Sequence, residues 1–329
     1  MTPVRWGILG TGGIARAFAA ALQATPGAVL AAVGSRRTDS AAAFAASCAV
    51  TTAYGSYAAL AAAPDIDIIY IGTPHPLHAE NAMMALRGGK AVLCEKPFTV
   101  NLREAEQLVA LAREKNLFLM EAMWTRFTPA LAEVRRIVAS GEIGEVSQVH
   151  ADFGVAATRD PEHRVNKRAL GGGALLDLGI YPLSISSALL GPVEAVQAQA
   201  VLSEGGVDLA TAFSMKHKGG AMSIGSCSLR ARTPCELTVC GSLGQVRMDS
   251  MFHLSSSVTV TGADGSRRTI GTPFLGNGYV HEAIEAGRCL REGLLESPHM
   301  PLDETLALMR VLDTIRGQIG VSYPADEVP

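Results

Sequence analysis

The chain has 329 residues, 48% of them hydrophobic and 18% charged, with a formal net charge of 28 minus 31, or −3. That length predicts two domains, or one domain with a large excursion, and that composition excludes a disordered chain. The near balance of charge, without a clustered basic excess, excludes nucleic acid and an anionic membrane surface as partners.

The first third alternates short β-branched runs with longer amphipathic ones, the pattern of a parallel sheet covered by helices. Strands are predicted at Val4 to Gly10, Val29 to Gly34, Ile66 to Gly72, Ala91 to Cys94 and Leu117 to Met120. Helices are predicted at Ile14 to Ala24, Ser40 to Ser47, Pro76 to Arg87 and Leu102 to Lys115. This is an α/β chain opening with a Rossmann-type doubly wound sheet over residues 1–123.

The rhythm changes over residues 124–329. A helix near Pro129 to Ser140, a strand at Val146 to Phe153 and an apolar helical stretch from the glycines Gly171 to Gly173 to Leu190 lead into repeated alternating strands from Val193 to Ile270. These predict a large, mostly antiparallel sheet in a second, α+β domain for substrate binding and dimerisation. Helices at Tyr279 to Glu292 and Glu304 to Ile319 close the chain.

The six cysteines, Cys48, Cys94, Cys227, Cys235, Cys240 and Cys289, form no C-x-x-C pair, as expected of free thiols in a reducing compartment. Glycines break the N-terminal apolar run before a signal-peptide core forms, and eighteen consecutive apolar residues are nowhere found. The expectation is a cytoplasmic protein without a membrane span.

Gly10-Thr11-Gly12-Gly13-Ile14-Ala15 fits G-x-G-x-x-A where a first strand hands over to a first helix. Glycines there permit the tight turn, and the helix N-terminus attracts a pyrophosphate. After the second strand an NAD site places an acidic residue for the ribose, whereas this chain has Ser35, Arg36 and Arg37. Two guanidinium groups suit a 2′-phosphate, so NADP is expected, with NAD as the alternative if Asp39 reaches the ribose instead.

The run A-V-L-C-E-K-P-F carries Glu95, Lys96 and Pro97 to the carboxyl edge of the sheet, where doubly wound sheets bind ligands. A lysine held there, partly desolvated and among positive charge, is suited to proton relay. Glu95 offsets that charge or holds a ribose hydroxyl, and Pro97 fixes the turn. Thr73-Pro74-His75, with His78, ends the preceding strand. H-x-x-H without a third ligand points to cofactor contact or helix-start geometry and not to metal.

These motifs, with G-G-G-A-L-L-D-L-G-I-Y at Gly171 to Tyr181, resemble the glucose-fructose oxidoreductase, inositol dehydrogenase and MocA family. A-Y-G-S-Y, L-F-L-M-E-A-M-W-T-R-F and E-S-P-H-M-P-L-D-E-T resemble its branch of dimeric dihydrodiol dehydrogenases and NADP-dependent D-xylose dehydrogenases. The resemblance implies Lys96 and Tyr181 as catalytic residues with Asp177 as their partner, and Trp124, Arg126 and Phe153 beside the substrate. Arg164 and Arg168 are further candidates for cofactor or substrate contact.

A phenol of pKa about 10 must drop roughly three units to act near neutrality, a difference of about 4 kcal/mol that a nearby cation can largely supply. Hence Tyr181 is expected to take a substrate hydroxyl proton, with Lys96 stabilising the phenolate. The expected activity is oxidation of a sugar or diol C–OH, foremost an aldose of the D-xylose type, with dihydrodiol oxidation or reaction at another sugar carbon as alternatives. A non-catalytic NADP-binding regulator is the competing class. An uncovered sheet face in the second domain predicts a homodimer.

Overall fold

The computed structural model describes residues 2–327. Packing divides the chain into two units, the residues up to Trp124 with Leu275–Leu306, and Thr125–Phe274 with the residues from Ala307 onward.

The first unit is built on six parallel strands: β1 (Val4–Leu9), β2 (Ala28–Gly34), β3 (Thr52–Tyr54), β4 (Ile68–Ile71), β5 (Ala91–Glu95) and β6 (Leu119–Ala122). Their spatial order is β3-β2-β1-β4-β5-β6, the doubly wound arrangement in which strand order reverses between β1 and β4. β4, β5 and β6 are buried along their whole length, which is why they read as continuous apolar runs rather than alternating ones. Around them lie α1 (Gly13–Ala24), α2 (Thr38–Ser47), α3 (Tyr57–Ala61), α4 (His78–Arg87) and α5 (Leu102–Lys115).

Local chemistry sets several of these boundaries. Asn101 caps α5 by accepting from the Glu104 amide at 3.0 Å, and Asn116 ends the helix in the left-handed region at φ 50°. That terminating residue pushes β6 two residues beyond its predicted start at Leu117. Pro76 lies in a 3₁₀ turn, His75–Leu77, so α4 begins at His78 and not at the proline. β3 and α3 carried no sequence prediction, being only three and five residues long.

The second unit carries α6 (Pro129–Ala139), β7 (Val146–Gly154) and α7 (Ile180–Leu190). They are joined by β8 (Val193–Leu202), β9 (Asp208–His217), β10 (Met222–Ser228), β11 (Leu237–Gly241), β12 (Gly244–Met248), β13 (Ser257–Gly262) and β14 (Arg267–Gly271). The eight strands run β14-β13-β12-β11-β7-β10-β9-β8, antiparallel except for the parallel pair β7 and β10. α7 packs on β7 and β10. On β10 the buried residues Ser223, Gly225 and Cys227 alternate with exposed Met222 and Ile224, so one face of the sheet presents apolar side chains outward.

Two further helices, α8 (Val280–Arg291) and α9 (Leu302–Ile319), follow the sheet, and α8 packs on α1 in the first unit. The stretch Arg168–Leu190 is long and apolar enough by composition to cross a membrane, contrary to the expectation that none is. Yet 78% of that window is buried within the protein, the mark of a core helix.

Candidate active site

In the first unit β1 ends at Leu9 and the chain turns through Gly10, whose φ is +117°. A Cβ there would lie 2.7 Å from the Gly72 carbonyl oxygen at the end of β4, so only glycine lets the two strand ends approach. Gly12 and Gly13 face open space. Gly12 is the N-cap of α1 and supplies no side-chain acceptor to its first amides. Open space in front of uncapped amides fits a pyrophosphate.

A cavity of about 490 Å³ continues from this turn, lined by Gly10, Thr11, Gly12, Gly72, Thr73 and Pro74 on one side and by Ser35, Arg36, Arg37, Ser40 and Tyr57 on the other. Ile14 is the second residue of α1, which starts at Gly13. Arg37 chelates Asp39, with Nε 3.0 Å from Oδ1 and Nη2 against Oδ2. The guanidinium and the Ser40 amide hold the Asp39 carboxyl down at about 2. Asp39 is therefore engaged by its neighbours. Arg36 has no ion pair among the described residues and lines the cavity, so a 2′-phosphate would meet a guanidinium there.

Lys96 is the one residue between Ala91 and Val100 that is not buried. It leaves β5 immediately after Glu95, whose Oε2 accepts from the Lys96 amide at 3.1 Å while Oε1 accepts from Tyr70 Oη at 2.5 Å. The Lys96–Pro97 peptide is cis. Beneath them, burial and then the Glu95 charge drive both the Tyr70 phenol and the Glu282 carboxyl well above their ordinary ranges. Glu282, on α8, is fully buried and neither oxygen has a hydrogen-bond partner.

His78 is fully buried, its Nδ1 2.8 Å from the Pro97 carbonyl oxygen and its Nε2 2.8 Å from that of Thr73. Of its two predicted roles, shaping the helix start describes it, since both nitrogens are engaged with backbone and neither faces the cavity. His75 is buried beside it, the ring centroids 5.7 Å apart. No metal-binding group of three His, Cys, Asp or Glu occurs among the described residues. Trp124 is buried against Tyr279 at 4.8 Å and over Gly278, as a core aromatic.

In the second unit the glycine motif opens into a π-helical turn, Leu175–Gly179, that runs directly into α7. Pro182 brings no amide to that junction, and π turns are frequent where a helix must re-aim a functional side chain. Asp177 lies on the turn, with Arg164 Nη2 3.0 Å from its Oδ2. Tyr181 is buried, its ring 5.0 Å from Phe153. His253 stacks on Phe153 at 4.4 Å and 20°, and Phe252 meets it edge-on at 5.8 Å.

Two predicted contacts are engaged by other parts of the chain instead. Arg126 is buried, donating from Nε to Ser184 Oγ at 2.8 Å and from Nη2 to the Ser184 carbonyl at 2.7 Å, which ties it to α7. Arg168 is taken up by the C-terminal segment, bonding Ser322 O at 2.7 Å and Glu327 Oε1 at 2.6 Å. His253 was not predicted. It follows Phe252 in a 3₁₀ turn about 100 residues beyond Phe153, and no local pattern announces that pairing.

The family models agree with this geometry. Residues 4–123 match the GFO/IDH/MocA model described as an oxidoreductase family with an NAD-binding Rossmann fold, and residues 131–247 match the GFO/IDH/MocA C-terminal domain. The chain belongs to the GFO/IDH/MocA oxidoreductases. It is 36% identical over 333 residues to a trans-1,2-dihydrobenzene-1,2-diol dehydrogenase of Danio rerio and 36% identical over 336 residues to the human one, covering 98% of this chain and 99% of each relative.

Among solved structures it is similar to an aldose-aldose oxidoreductase from Caulobacter crescentus complexed with glycerol (TM-score 0.87, 26% identity, 96% of this chain and 97% of that one). It is also similar to a 3-ketoreductase from Actinomadura kijaniata in complex with NADP and TDP-benzene (TM-score 0.86, 27% identity, 98% and 99%). Like its GFO/IDH/MocA relatives, the protein is an NAD(P)-dependent dehydrogenase acting on hydroxyl donors.

Proposed function

We propose that this chain uses NADP+ to oxidise one hydroxyl of a small ring that carries adjacent hydroxyl groups. That class takes in an aldopyranose such as D-xylose at its anomeric carbon and a trans-dihydrodiol of an aromatic ring. The observation that carries it is the setting of Tyr181, a phenol on a re-aimed helix with the Phe153 and His253 rings stacked beside it.

An apolar ring face next to a proton acceptor suits a puckered sugar or a flat six-carbon ring. The stack specifically favours the dihydrodiol as a second reading. Only Phe213 and Phe252 stand as aromatics between Val193 and Ile270, but that count leaves out Phe153 and the His253 imidazole. The name of the relatives at 36% identity points the same way.

Tyr181 removes the substrate hydroxyl proton, and Lys96 provides the cation that a phenol needs to do so near neutral pH. Bound NADP+ supplies the hydride acceptor, at C4 of its nicotinamide. Arg36 holds the 2′-phosphate, while Thr11, Gly12 and Gly13 leave room for the pyrophosphate. Asp177, fixed by Arg164, stands four residues before Tyr181 on the same helical run and orients the hydroxyls.

The exposed Met222 and Ile224, with Val201 on β8, support a homodimer through that sheet face. Light scattering giving 34 kDa rather than twice that mass would overturn this. Six free cysteines support a reducing, cytoplasmic location.

NADPH absorbance, followed at fixed NADP+ across pentoses, hexoses, trans-1,2-dihydrobenzene-1,2-diol and simple alcohols, tests the reading. Turnover is expected with ring-bound vicinal hydroxyls. Turnover confined to monohydric alcohols, or faster with NAD+, would overturn it.

A further inference from the structure

The glycine motif closes over a buried carboxylate that no local pattern connects with it. Asp208, the first residue of β9, is fully buried. Its Oδ2 accepts from the Leu175 amide at 2.8 Å and from Thr211 Oγ1 at 2.7 Å. Leu175 opens the π turn, whose own N-cap, Ala174, offers no side-chain acceptor. The cap therefore comes from a strand 33 residues downstream.

The three glycines make this possible. Gly173 has φ +118°, and a Cβ there would sit 2.2 Å from Asp208 Oδ1. At Gly172 a Cβ would meet the Val165 carbonyl oxygen at 2.6 Å, and the Gly172 carbonyl accepts from Tyr323 Oη at 2.6 Å. At the far end of the turn a Cβ on Gly179 would lie 3.0 Å from Cys227 Sγ on β10. The turn is thus pressed onto β9 and β10 at both ends, and Asp208 is its only charged anchor among these contacts.

We propose that Asp208 is a positioning residue for Tyr181: by capping the π turn from β9 it sets the register in which Asp177 and Tyr181 leave it. The proposal rests on the reading of Tyr181 as the acid–base. A π turn lodges one extra residue, and it can migrate or revert to α-helix unless its first amide is held. Either slip rotates Tyr181 away from Phe153 and His253. The side-chain carbonyl of asparagine can accept the same two hydrogen bonds that Asp208 Oδ2 accepts, so a neutral amide of the same shape reproduces much of its role.

The test compares Asp208→Ala, Asp208→Asn and Thr211→Val in the full chain, with Tyr181→Phe alongside. Amide exchange over residues 174–181 and the ¹³C-tyrosine resonance of Tyr181, which senses the ring currents of Phe153 and His253, are read without substrate. Turnover with NADP+ is read on D-xylose and trans-1,2-dihydrobenzene-1,2-diol. In Asp208→Ala, exchange should quicken at least about 10-fold and the Tyr181 resonance should move. kcat should fall about 10- to 100-fold while KM for NADP+ changes less than about 2-fold.

Asp208→Asn should stay within a few-fold of wild type on every measure. If Asp208→Ala does not fold, Thr211→Val should show the same pattern in weaker form. Faster exchange with an unmoved Tyr181 resonance would overturn the proposal, as would kcat and NADP+ affinity falling together. Wild-type turnover in Tyr181→Phe would instead overturn the acid–base reading, leaving the resonance and exchange results to judge Asp208 alone.

Discussion

Tyr70 Oη donates to Glu95 Oε1 at 2.5 Å inside the first unit, joining the end of β4 to the residue that precedes Lys96. Phe18 of α1 stacks on the Tyr70 ring at 3.8 Å and 6°, so the helix that begins at the nucleotide turn, the strand β4 and the Glu-Lys-Pro corner are one packed assembly. Removing the hydroxyl leaves a buried carboxylate short of a donor. Tyr70→Phe should cost about 1–3 kcal/mol of stability, read by denaturant unfolding. An unchanged midpoint would show that the bond adds nothing.

Glu282 predicts an unusual pH dependence. Its folded-state pKa is raised well above the ordinary carboxyl range by burial and by the Glu95 charge. Between the unfolded value, about 4.3, and the raised folded one, the native state holds a proton that the unfolded chain has lost. Its contribution to stability therefore falls as pH rises through that window. Glu282→Gln should flatten thermal stability between pH 5 and 8 and raise the midpoint at pH 8 by about 2–4 °C. A midpoint with the wild-type slope would contradict this.

The two arginines after β2 should behave differently. Arg36→Ala loses a charge-assisted bond to phosphate, worth about 1.5–3 kcal/mol, so KM for NADP+ should rise about 10- to 100-fold with NAD+ little affected. Arg37→Ala releases Asp39 from its guanidinium. That carboxylate then becomes available to a ribose, and use of NAD+ should increase. Equal effects of the two substitutions on both cofactors would remove the distinction.

Lys96 and Tyr181 are predicted to act as a unit. Lys96→Ala and Tyr181→Phe should each lower kcat by about 10²- to 10⁴-fold with little change in NADP+ affinity. The double variant should be no worse than the poorer single one. Additive losses in stopped-flow turnover would mean that each contributes separately.

His253 separates the two substrate readings. An aromatic contact is worth about 0.5–1.5 kcal/mol, so His253→Leu should raise KM for trans-1,2-dihydrobenzene-1,2-diol about 2- to 10-fold while leaving D-xylose nearly unchanged. Equal shifts for both substrates would mean that the stack does not face the substrate ring.

The nucleotide half was legible because its chemistry is contiguous. Gly10 to Ala15 form one turn, Ser35 to Arg37 another, and Glu95 to Pro97 the end of one strand, so each functional group lies within a few residues of the element that aims it. Arg126 and Arg168 read as site residues on sequence pattern, but Ser184 and the C-terminal Ser322 and Glu327 claim them. Sequence pattern does not say which of several acceptors a long guanidinium will find.

The order of elements, the glycine turn, the arginines in place of a ribose-binding acid and the Lys96 corner all follow from local backbone rules and residue chemistry, and so were set by the amino-acid string itself. What only the folded chain decided lies across long loops: Asp208 capping the turn before Tyr181, His253 stacking on Phe153, and Glu282 arriving uncompensated near Glu95. The physical reason is that such contacts depend on sheet register and helix packing. Both are settled by burial summed over whole elements, and no short window of residues contains that sum.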